Sequence, residues 1–330
     1  MFRRICLISL ALTIIGSAVF PLTALAVEKT YPNRPVRLVV GVAPGGPVDS
    51  FMRLIADKLT QMWHVSVVVE NRVGASGSIG AAYVAKAPPD GYTLFAAAIN
   101  THGANPALYG SKLAYDAVKD FAPVIYLVKL SSALVVNPDL PILSFKDLIE
   151  MAREKPGALT YSSAGIGSTL WLYMEQLKQQ TNVDIVHIPY NGAGPAMAAV
   201  LGKQVDMIFT GIVTALPQIK AGHVRPIVIN NGGERFSELP DVPTLKESGF
   251  PKLEAVAWMG IVAPAGTPPQ VVNAINAAVN SVLQTTDIKH KFAGMGGTPV
   301  GGTPEEFGTF IREEVNRWGE LIEKAGVHAE

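Results

Sequence analysis

Short runs of β-branched and other apolar residues alternate with stretches whose apolar residues recur every three or four positions, beginning at Val36. The short runs predict strands, and the helical spacing predicts amphipathic helices. In the second predicted element, for example, Phe51, Leu54 and Ile55 fall on one helical face. The first predicted elements are strand 36–42, helix 50–62, strand 66–70, helix 79–85 and strand 93–98. This βαβαβ order predicts a largely parallel sheet with helices on its faces.

The pattern changes at residues 124–136, which form one long, mostly apolar run without a hairpin signal. This run predicts a segment that crosses from one domain to another, and strand 225–229 can cross back. The elements predicted between and after them are helix 145–153, strand 158–162, helix 170–179, strand 184–188, helix 194–202, strand 205–209, helix 216–221, strand 258–263 and two C-terminal helices. The fold class is therefore α/β, with two domains joined by crossing strands and a central cleft. Domain 1 is expected to comprise residues 27–126 and 230–330, and domain 2 residues 127–229.

Three of the predicted helices carry N-terminal signals. Ser144 has the residue type of an N-cap. The sequences Thr267-Pro268-Pro269-Gln270 and Thr303-Pro304-Glu305-Glu306 both resemble a capping box with proline at the first helical position. We therefore expect helices to begin directly after Ser144, Thr267 and Thr303.

Glycine-rich turns follow three of the predicted strands and lead into helices. They lie at Pro44-Gly45-Gly46, at residues 71–80 and at residues 163–169. Free N–H groups and the positive end of the helix dipole meet at such a turn, and glycine lets the main chain approach a ligand closely. Because ligands of open α/β sheets bind outside the carboxyl ends of the strands, the three turns predict one anion-binding cleft. Any single turn can equally be an ordinary connection.

The first 26 residues have the pattern of a secretory signal peptide. Arg3 and Arg4 precede an apolar run that ends at Phe20, and Ala24-Leu25-Ala26 is a small-x-small site. A membrane anchor is the alternative, but the run is short for a span and Pro21 follows it. We predict cleavage after Ala26 and a periplasmic product.

Composition excludes several functions. The chain has 27 Lys and Arg against 27 Asp and Glu, with no basic run, so nucleic acid is not an expected partner. Cleavage after Ala26 would remove Arg3 and Arg4, leaving 25 basic and 27 acidic side chains, a net charge of −2. It would also remove Cys6, the only cysteine, and with it any disulfide or cysteine ligand.

Catalytic and cofactor motifs are largely missing from the sequence. The six histidines lack metal-site spacing, and neither a dinucleotide fingerprint nor a P-loop is present, so no metal or cofactor is expected. Ser163, His187 and Asp206 can be imagined as a triad, but their order along the chain matches none of the well-known arrangements. An exported hydrolase that uses Ser163 remains an alternative.

Small polar side chains gather at the predicted strand ends and helix starts. Each is either a helix cap, which stabilises by about 1 kcal/mol, or a ligand donor. They are Ser50, Ser76, Ser78, Asn100, Thr101, Ser163, Ser168 and Thr169. Since Arg72 is the only cation in the turns, neutral donors would hold an anion there without a buried salt bridge and its desolvation cost.

The sequence resembles the substrate-binding proteins of tripartite tricarboxylate transporters, the TctC or Bug family. The resemblance covers essentially the whole chain after the leader, in collinear order. It rests on Tyr31-Pro32-x-Arg34-Pro35, Pro44-Gly45-Gly46-x-x-Asp49, Val67-Val68-Val69-Glu70-Asn71-Arg72, Gly74-Ala75-x-Gly77-x-Ile79-Gly80, Pro89-Asp90-Gly91-Tyr92-Thr93-Leu94, Asp120-Phe121-x-Pro123-Val124, Tyr161-x-Ser163-x-Gly165-x-Gly167-Ser168, His187-x-Pro189-Tyr190-x-Gly192, Leu239-Pro240-Asp241-Val242-Pro243-Thr244 and Ala263-Pro264-Ala265-Gly266-Thr267-Pro268. Each motif alone is weak, but the series is specific.

The resemblance implies a periplasmic binding protein of type II, with two hinged α/β domains, and not an enzyme. It implies capture of a small carboxylate and its delivery to the large and small membrane subunits of a transporter, and we expect the receptor to be a monomer. The carboxylate would be a di- or tricarboxylate, an acidic amino acid or an aromatic carboxylate, held partly through ordered water. The expected ligand-binding residues are Pro44, Gly45, Gly46, Asp49, Ser50, Gly77, Asn100, Thr101, Ser163, Gly165, Gly167, Ser168 and Asp206.

Several positions depart from the family pattern or allow two interpretations. Gly41-Val42-Ala43 replaces the usual Pro- and Phe-rich approach to the first turn, which predicts a wider or more mobile turn. Trp171 stands where histidine is common and is either a core residue or an aromatic wall of the cleft, and Asn191 replaces a frequent lysine. Asp206 either lines the cleft or caps a neighbouring backbone. A sensory receptor for a membrane signalling protein is an alternative to the transport role.

Overall fold

The computed structural model describes residues 31–253 and 256–327, and the predicted leader peptide lies outside them. The strands are β1 Val36–Val40, β2 Val67–Asn71, β3 Thr93–Ala98, β4 Phe121–Leu130, β5 Ser132–Val136, β6 Thr160–Ser163, β7 Val186–Pro189, β8 Met207–Gly211, β9 Arg225–Asn230, β10 Ala257–Pro264 and β11 Gly297–Gly301. The α-helices are α1 Pro47–Trp63, α2 Ser78–Ala85, α3 Asn105–Tyr109, α4 Phe145–Glu154, α5 Thr169–Thr181, α6 Ala193–Leu201, α7 Ile212–Lys220, α8 Pro269–Gln284, α9 Thr286–Gly294 and α10 Pro304–Ala325. A π-turn at Asn100–Ala104 joins β3 to α3.

The described strands form two mixed sheets, ordered β11-β4-β10-β3-β1-β2 and β7-β6-β8-β5-β9. In the first sheet β1 is parallel to β2 and β3, but β10 is antiparallel to β3 and β4. In the second, β6 is parallel to β7 and β8, and β5 is antiparallel to β8 and β9. The predicted parallel pairing of the first three strands is confirmed, but the sheet as a whole is mixed, because β10, which follows the second sheet, enters the first from the opposite end.

The chain passes between the two sheets twice. The run predicted over residues 124–136 is two strands, since β4 ends in the first sheet at Leu130 and β5 begins in the second at Ser132. The return lies between the end of β9 and the start of β10. The Ser131 hydroxyl, in the first crossing, donates to Asn231 Oδ1 in the second at 2.7 Å. This bond ties the two crossings together.

Two of the three predicted helix starts are confirmed. Ser144 Oγ accepts from Asp147 N at 3.2 Å, and Thr303 forms a complete capping box with Glu306. The predicted box at Thr267 was wrong, because α8 begins at Pro269 with Pro268 as its N-cap. The Thr267 hydroxyl instead donates to the Pro264 carbonyl at 2.7 Å and closes the turn after β10.

Two elements near the C-terminus gave no usable signal in the sequence. In α9 only Ile288 and Phe292 are buried, which is too few to show a helical stripe. β11 contains Gly297, Pro299 and Gly301 and lies at the edge of its sheet, where proline is tolerated.

Each sheet is covered by helices on both faces, so the core lies in layers. Phe51 of α1 packs edge-on against Phe292 of α9 with ring centroids 4.7 Å apart, on one face of the first sheet. On the other face Phe307 of α10 contacts Trp258 of β10 at 5.7 Å. Over the described ranges, no helix is both long and apolar enough to cross a bilayer.

Candidate functional site: the cleft between the two sheets

A cavity of about 640 Å³ lies at the carboxyl ends of strands from both sheets. Segments after β1, β2 and β3 form one wall, and segments after β6 and β7 form the other. The cavity is lined by Gly41, Val42, Ala43, Val48, Val73, Gly74, Ser76, Gly77, Phe95, Ala96, Ala98, Asn100, Thr101, Ala164, Ile166, Ser168 and Gly192. None of these side chains is ionisable, so any charge on a ligand would meet only main-chain and neutral side-chain donors.

The first wall depends on a close contact between two main-chain segments. A Cβ atom on Gly41 would lie 2.7 Å from Gly77 Cα, nearer than real Cβ atoms approach a backbone. Gly77 has a φ of +90°, and a Cβ there would lie 2.8 Å from Thr101 Cγ2. Glycine is therefore required at both positions for the segments after β1 and β2 to meet.

Asp49 fixes the Pro-Gly-Gly turn from beneath. Its buried carboxylate accepts bonds from Gly45 N at 2.9 Å, Arg53 Nε at 2.8 Å and Asn71 Nδ2 at 2.8 Å. These partners, with Arg53 contributing most, lower the pKa of Asp49 to about 2 despite its burial. Since its oxygens are occupied within the turn, Asp49 holds the wall in place and does not line the cavity.

Three helices that start at the cleft have glycine N-caps, whereas the start of α5 is capped by Ser168. Gly46 before α1, Gly77 before α2 and Gly192 before α6 offer no side-chain acceptor to the first-turn N–H groups. By contrast, α4 and α10, which do not start at the cavity, are capped by Ser144 and Thr303. First-turn donors and the positive ends of three helix dipoles therefore converge on the cavity, an arrangement that favours an anion.

The second wall is a hydrogen-bonded turn after β6. The Ser163 Oγ atom lies 2.6 Å from His187 Nε2 and accepts from Gly165 N at 3.0 Å. Ser168 Oγ donates to Gly165 O at 2.6 Å and caps α5 by accepting from Trp171 N at 3.3 Å. The turn is thus held by its own serines, with the Ser168 side chain at the cavity.

Asn100 joins the two walls. Its Nδ2 atom donates to Gly167 O at 2.9 Å, across the cleft from the end of β3 to the turn after β6. A Cβ on Gly167 would lie 2.7 Å from Leu108 Cδ1, so the walls also touch through apolar contact.

The predicted site residues fall into three groups. Gly77, Asn100, Thr101 and Ser168 line the cavity. The second group shapes the two turns without lining the cavity: Pro44, Gly45, Gly46, Asp49, Ser50, Ser163, Gly165 and Gly167. Asp206 forms the third group. Sequence reasoning missed Val42, Ala43 and Val48 as wall residues, because apolar side chains in such a turn carry no chemical signal.

Asp206 lies just before β8, at the amino end of the central strand of the second sheet and therefore at the end away from the cleft. Its Oδ2 atom accepts from Thr160 N at 2.7 Å and from the Thr160 hydroxyl at 2.8 Å. This is the backbone-capping role, and the structure does not bring Asp206 to the cavity. It also lies on the other side of β6 from His187, since β7 and β8 flank that strand. The imagined triad with Ser163 is therefore not assembled.

Trp171 is a core residue, the first of the two roles considered for it. Only 3% of its surface is exposed, and it belongs to a core cluster that contains residues of both sheets. The cavity lining does not include it. Within residues 31–253 and 256–327 no three His, Cys, Asp or Glu side chains are grouped to hold a metal ion.

Comparisons with known proteins agree with this architecture. The family model described as "Tripartite tricarboxylate transporter family receptor", TctC, matches residues 51–327. The chain is 33% identical to the protein BugT of Bordetella pertussis over 297 residues, which cover 90% of this chain and 91% of BugT.

Two solved structures with bound ligands are similar to this chain. Rpa4515 of R. palustris with adipate has a TM-score of 0.78 and 34% identity, covering 90% of this chain and 99% of that one. MatC (Rpa3494) from Rhodopseudomonas palustris with bound malate has a TM-score of 0.74 and 34% identity, covering 88% of this chain and 100% of that one.

These likenesses confirm the expected two-domain α/β architecture of a periplasmic binding protein. The family consists of solute receptors, so the expectation that the chain is not an enzyme is confirmed, and the Ser163 hydrolase is not supported. Carboxylates are bound by the two solved relatives described above. The chain belongs to the TctC family, the periplasmic solute receptors of tripartite tricarboxylate transporters.

Proposed function

We propose that this receptor captures a small carboxylate in the cleft, closes around it by hinge motion and presents it to the membrane subunits of a tripartite transporter. The carboxylate lies against Gly77, Thr101 and Ser168, which line the cavity. Asp49 and Ser163 act indirectly, because each holds a turn in the geometry that places main-chain donors at the ligand.

The observation that carries this proposal is the chemistry of the cavity walls. No lining side chain is ionisable, yet the glycine-capped starts of α1, α2 and α6 converge there. Hydroxyl and amide donors are added by Ser168, Thr101 and Asn100. Such a site stabilises an anion by oriented dipoles and avoids the desolvation cost of a buried cation.

The solved relatives support the ligand class. Adipate and malate both carry carboxylates, and the proteins that hold them are each 34% identical to this chain. For this chain the class stays as broad as the sequence predicted: a di- or tricarboxylate, an acidic amino acid or an aromatic carboxylate.

The proposed hinge lies at the two crossings tied by Ser131 and Asn231. Residues 27–126 with 230–330 would form one moving body and residues 127–229 the other. In this scheme Asn100 stabilises the closed form, since its hydrogen bond to Gly167 O spans the two walls and forms only when they meet. A leader cleaved after Ala26 would deliver the receptor to the periplasm.

Thermal unfolding tests the carboxylate claim. Residues 27–330 are purified and heated with succinate, malate, adipate, citrate, glutamate, benzoate or 3-(4-hydroxyphenyl)propanoate, each beside its fully methylated ester. A ligand at a hundredfold excess over its Kd should stabilise the protein by about 2.7 kcal/mol, and the ester should not. Equal shifts with acid and ester, or no shift with any acid, would refute the proposal.

Transport is tested separately in the source bacterium. Deleting the receptor gene should abolish uptake of the radiolabelled carboxylate identified by unfolding. Normal uptake with loss of a transcriptional response would instead support the sensory alternative.

A further inference from the structure

A second chamber of about 240 Å³ lies behind the cleft, next to the crossing strands. It shares Val48, Ala98 and Asn100 with the lining of the cleft, so the two spaces adjoin. A ligand whose carboxylate sits in the cleft would extend into the chamber past these three shared residues.

The chamber walls are mostly apolar. Leu130, Ile99, Leu170, Met259 and Trp258 contribute large surfaces. No carboxylate, amine, guanidinium or imidazole group is among the described residues that line the chamber. These walls suit an aliphatic or aromatic body.

Three hydroxyl groups on the walls are buried and make no hydrogen bond of good geometry, although those of Tyr173 and Ser132 lie close enough to interact with each other, and Tyr173 also interacts with the Ala257 main chain. The three groups belong to Ser132 of β5, Tyr173 of α5 and Thr210 of β8, whose exposed fractions are 2%, 3% and 1%. Buried polar atoms in native proteins almost always have a partner, so three such hydroxyls in one chamber require an explanation. In the empty receptor water can supply the missing bonds, since the chamber is large enough for several molecules.

The electrostatics of the chamber disfavour a second negative charge. The Nε1 atom of Trp258, a wall residue, donates to the buried Glu314 carboxylate at 2.8 Å. Burial raises the pKa of the Tyr173 phenol and the charge of Glu314 raises it further, whereas hydrogen bonding to the Ser132 hydroxyl and the Ala257 main chain acts in the opposite direction. Negative charge that develops on a chamber wall is therefore penalised, and the same would hold for a distal carboxylate.

We infer that the chamber receives the distal end of an elongated monocarboxylate that carries a neutral oxygen, such as a hydroxyl or phenol group. Ser132, Tyr173 and Thr210 would bond that oxygen, since hydroxyl groups can both donate and accept. This inference rests on the proposed carboxylate site and narrows its ligand class. It sets the chain apart from relatives that hold adipate or malate, whose distal groups are charged.

A matched set of six-carbon acids tests the inference by calorimetry. Hexanoate, 6-hydroxyhexanoate and adipate have the same length and differ only at the distal end. We expect 6-hydroxyhexanoate to bind at least about fivefold more tightly than both others, which is the range of one or two net hydrogen bonds. Tyr173→Phe and Thr210→Val should each reduce this preference, because each should weaken the binding of 6-hydroxyhexanoate more than that of hexanoate.

The outcomes separate this inference from the proposed function. Equal binding of hexanoate and 6-hydroxyhexanoate, or a preference for adipate, would overturn the inference and leave the carboxylate site standing. Failure of all three acids, together with the whole carboxylate panel, would overturn both.

A second measurement needs no ligand. Because the Thr210 hydroxyl makes no bond within the protein, Thr210→Val should leave the unfolding midpoint unchanged or raise it. Ser162→Ala is the control, since the Ser162 hydroxyl does donate to Ala196 O at 2.9 Å and its loss should lower the midpoint. Destabilisation by Thr210→Val as large as that of the control would show an internal partner and overturn the inference.

Discussion

The Ser163 hydroxyl and His187 Nε2 lie 2.6 Å apart, which links the end of β6 to β7 at the rim of the cleft. Ser163 is completely buried, and the His187 ring stacks on Tyr161 with centroids 4.8 Å apart. Since Gly165 N donates to the same hydroxyl, Ser163 can donate to a neutral imidazole while it accepts from the turn. The pair is a support for the turn that carries Ser168.

Removing the Ser163 hydroxyl should weaken ligand binding, although this hydroxyl does not contact the ligand. Ser163→Ala is expected to cost about 1 kcal/mol of stability and to lower carboxylate affinity about threefold to tenfold, because the turn loses its anchor. Ser162→Ala is the matched control, since it removes a buried hydroxyl from the same strand that bonds Ala196 instead. Calorimetry should show reduced affinity for the first variant alone, and equal affinities would exclude a supporting role for Ser163.

The Ser163–His187 pair predicts that the folding stability depends on pH. Burial lowers the pKa of His187, Glu175 raises it and Lys178 lowers it, with burial prevailing. A lowered pKa means that the native state binds the proton less readily than the unfolded state. The stabilising contribution is therefore present above the ordinary value of about 6.5 and is lost as pH falls from there towards the lowered value.

Urea unfolding between pH 8 and pH 5 measures this effect. Wild type should lose stability below pH 6.5 more steeply than His187→Gln, which cannot take up the proton. Parallel curves for the two proteins would contradict the assignment.

Glycine at position 41 is predicted to be indispensable. Gly41→Ala places a Cβ 2.7 Å from Gly77 Cα, and a main chain cannot move aside as a side chain can. We expect a loss of about 1–3 kcal/mol in unfolding free energy together with weaker ligand binding. Gly319→Ala in α10 is the control, because a Cβ there meets nothing within 4 Å and should stabilise the helix by about 1 kcal/mol. A Gly41→Ala protein as stable as wild type would disprove the close contact.

Asp49 should strengthen carboxylate binding indirectly, because it holds the Gly45 turn in place. Asp49→Asn removes the ion pair with Arg53, made at 2.8 Å, and so loosens the Gly45 turn. The expected result is a lower unfolding midpoint and weaker carboxylate binding. Asp57→Asn makes the same change of charge at an exposed position of α1 and should alter neither. If Asp49→Asn and Asp57→Asn weakened carboxylate binding equally, the change in overall charge would explain the effect, and Asp49 would have no special role in the turn.

Protonation of Asp49 at low pH should remove its stabilising contribution from the wild-type protein, as the Asp49→Asn substitution does. The folded pKa of about 2 lies below the ordinary value of 3.8, so its contribution is present above about pH 3.8 and disappears as pH falls through about 2. The difference in stability between wild type and Asp49→Asn should therefore shrink across that interval.

The sequence predicted features that depend on neighbouring residues. The capping box of Thr303 and Glu306 and the N-cap Ser144 were found because the interacting groups lie three positions apart. The α/β order and the three turns followed from periodicity and glycine. The prediction at Thr267 failed because α8 starts one residue later, with Pro268 as its N-cap. The Thr267 hydroxyl therefore bonds to the preceding turn instead of to the helix.

Features that depend on the meeting of distant segments could not be predicted. Gly41 and Gly77 are brought together only by the packing of β1 beside β2 and β3. The buried chamber hydroxyls of Ser132, Tyr173 and Thr210 come from β5, α5 and β8 and form no linear motif. Asp206 was a candidate cleft residue in the sequence, but the direction of β8 places it at the amino end of that central strand, away from the cleft.

Calorimetric titration of a charge pair at Ala164 tests the central claim most directly. Ala164 lines the cleft in the turn after β6, and its φ does not lie in the left-handed region. Ala164→Asp and Ala164→Asn differ by little more than one negative charge, which at a few ångströms from a bound carboxylate costs several kcal/mol at an effective dielectric constant of about 20. With the tightest acid of the carboxylate panel, we predict that the Asn variant retains binding within about tenfold of wild type and that the Asp variant binds at least about tenfold more weakly than the Asn variant. Equal affinity of the two variants would show that no carboxylate binds in this cleft.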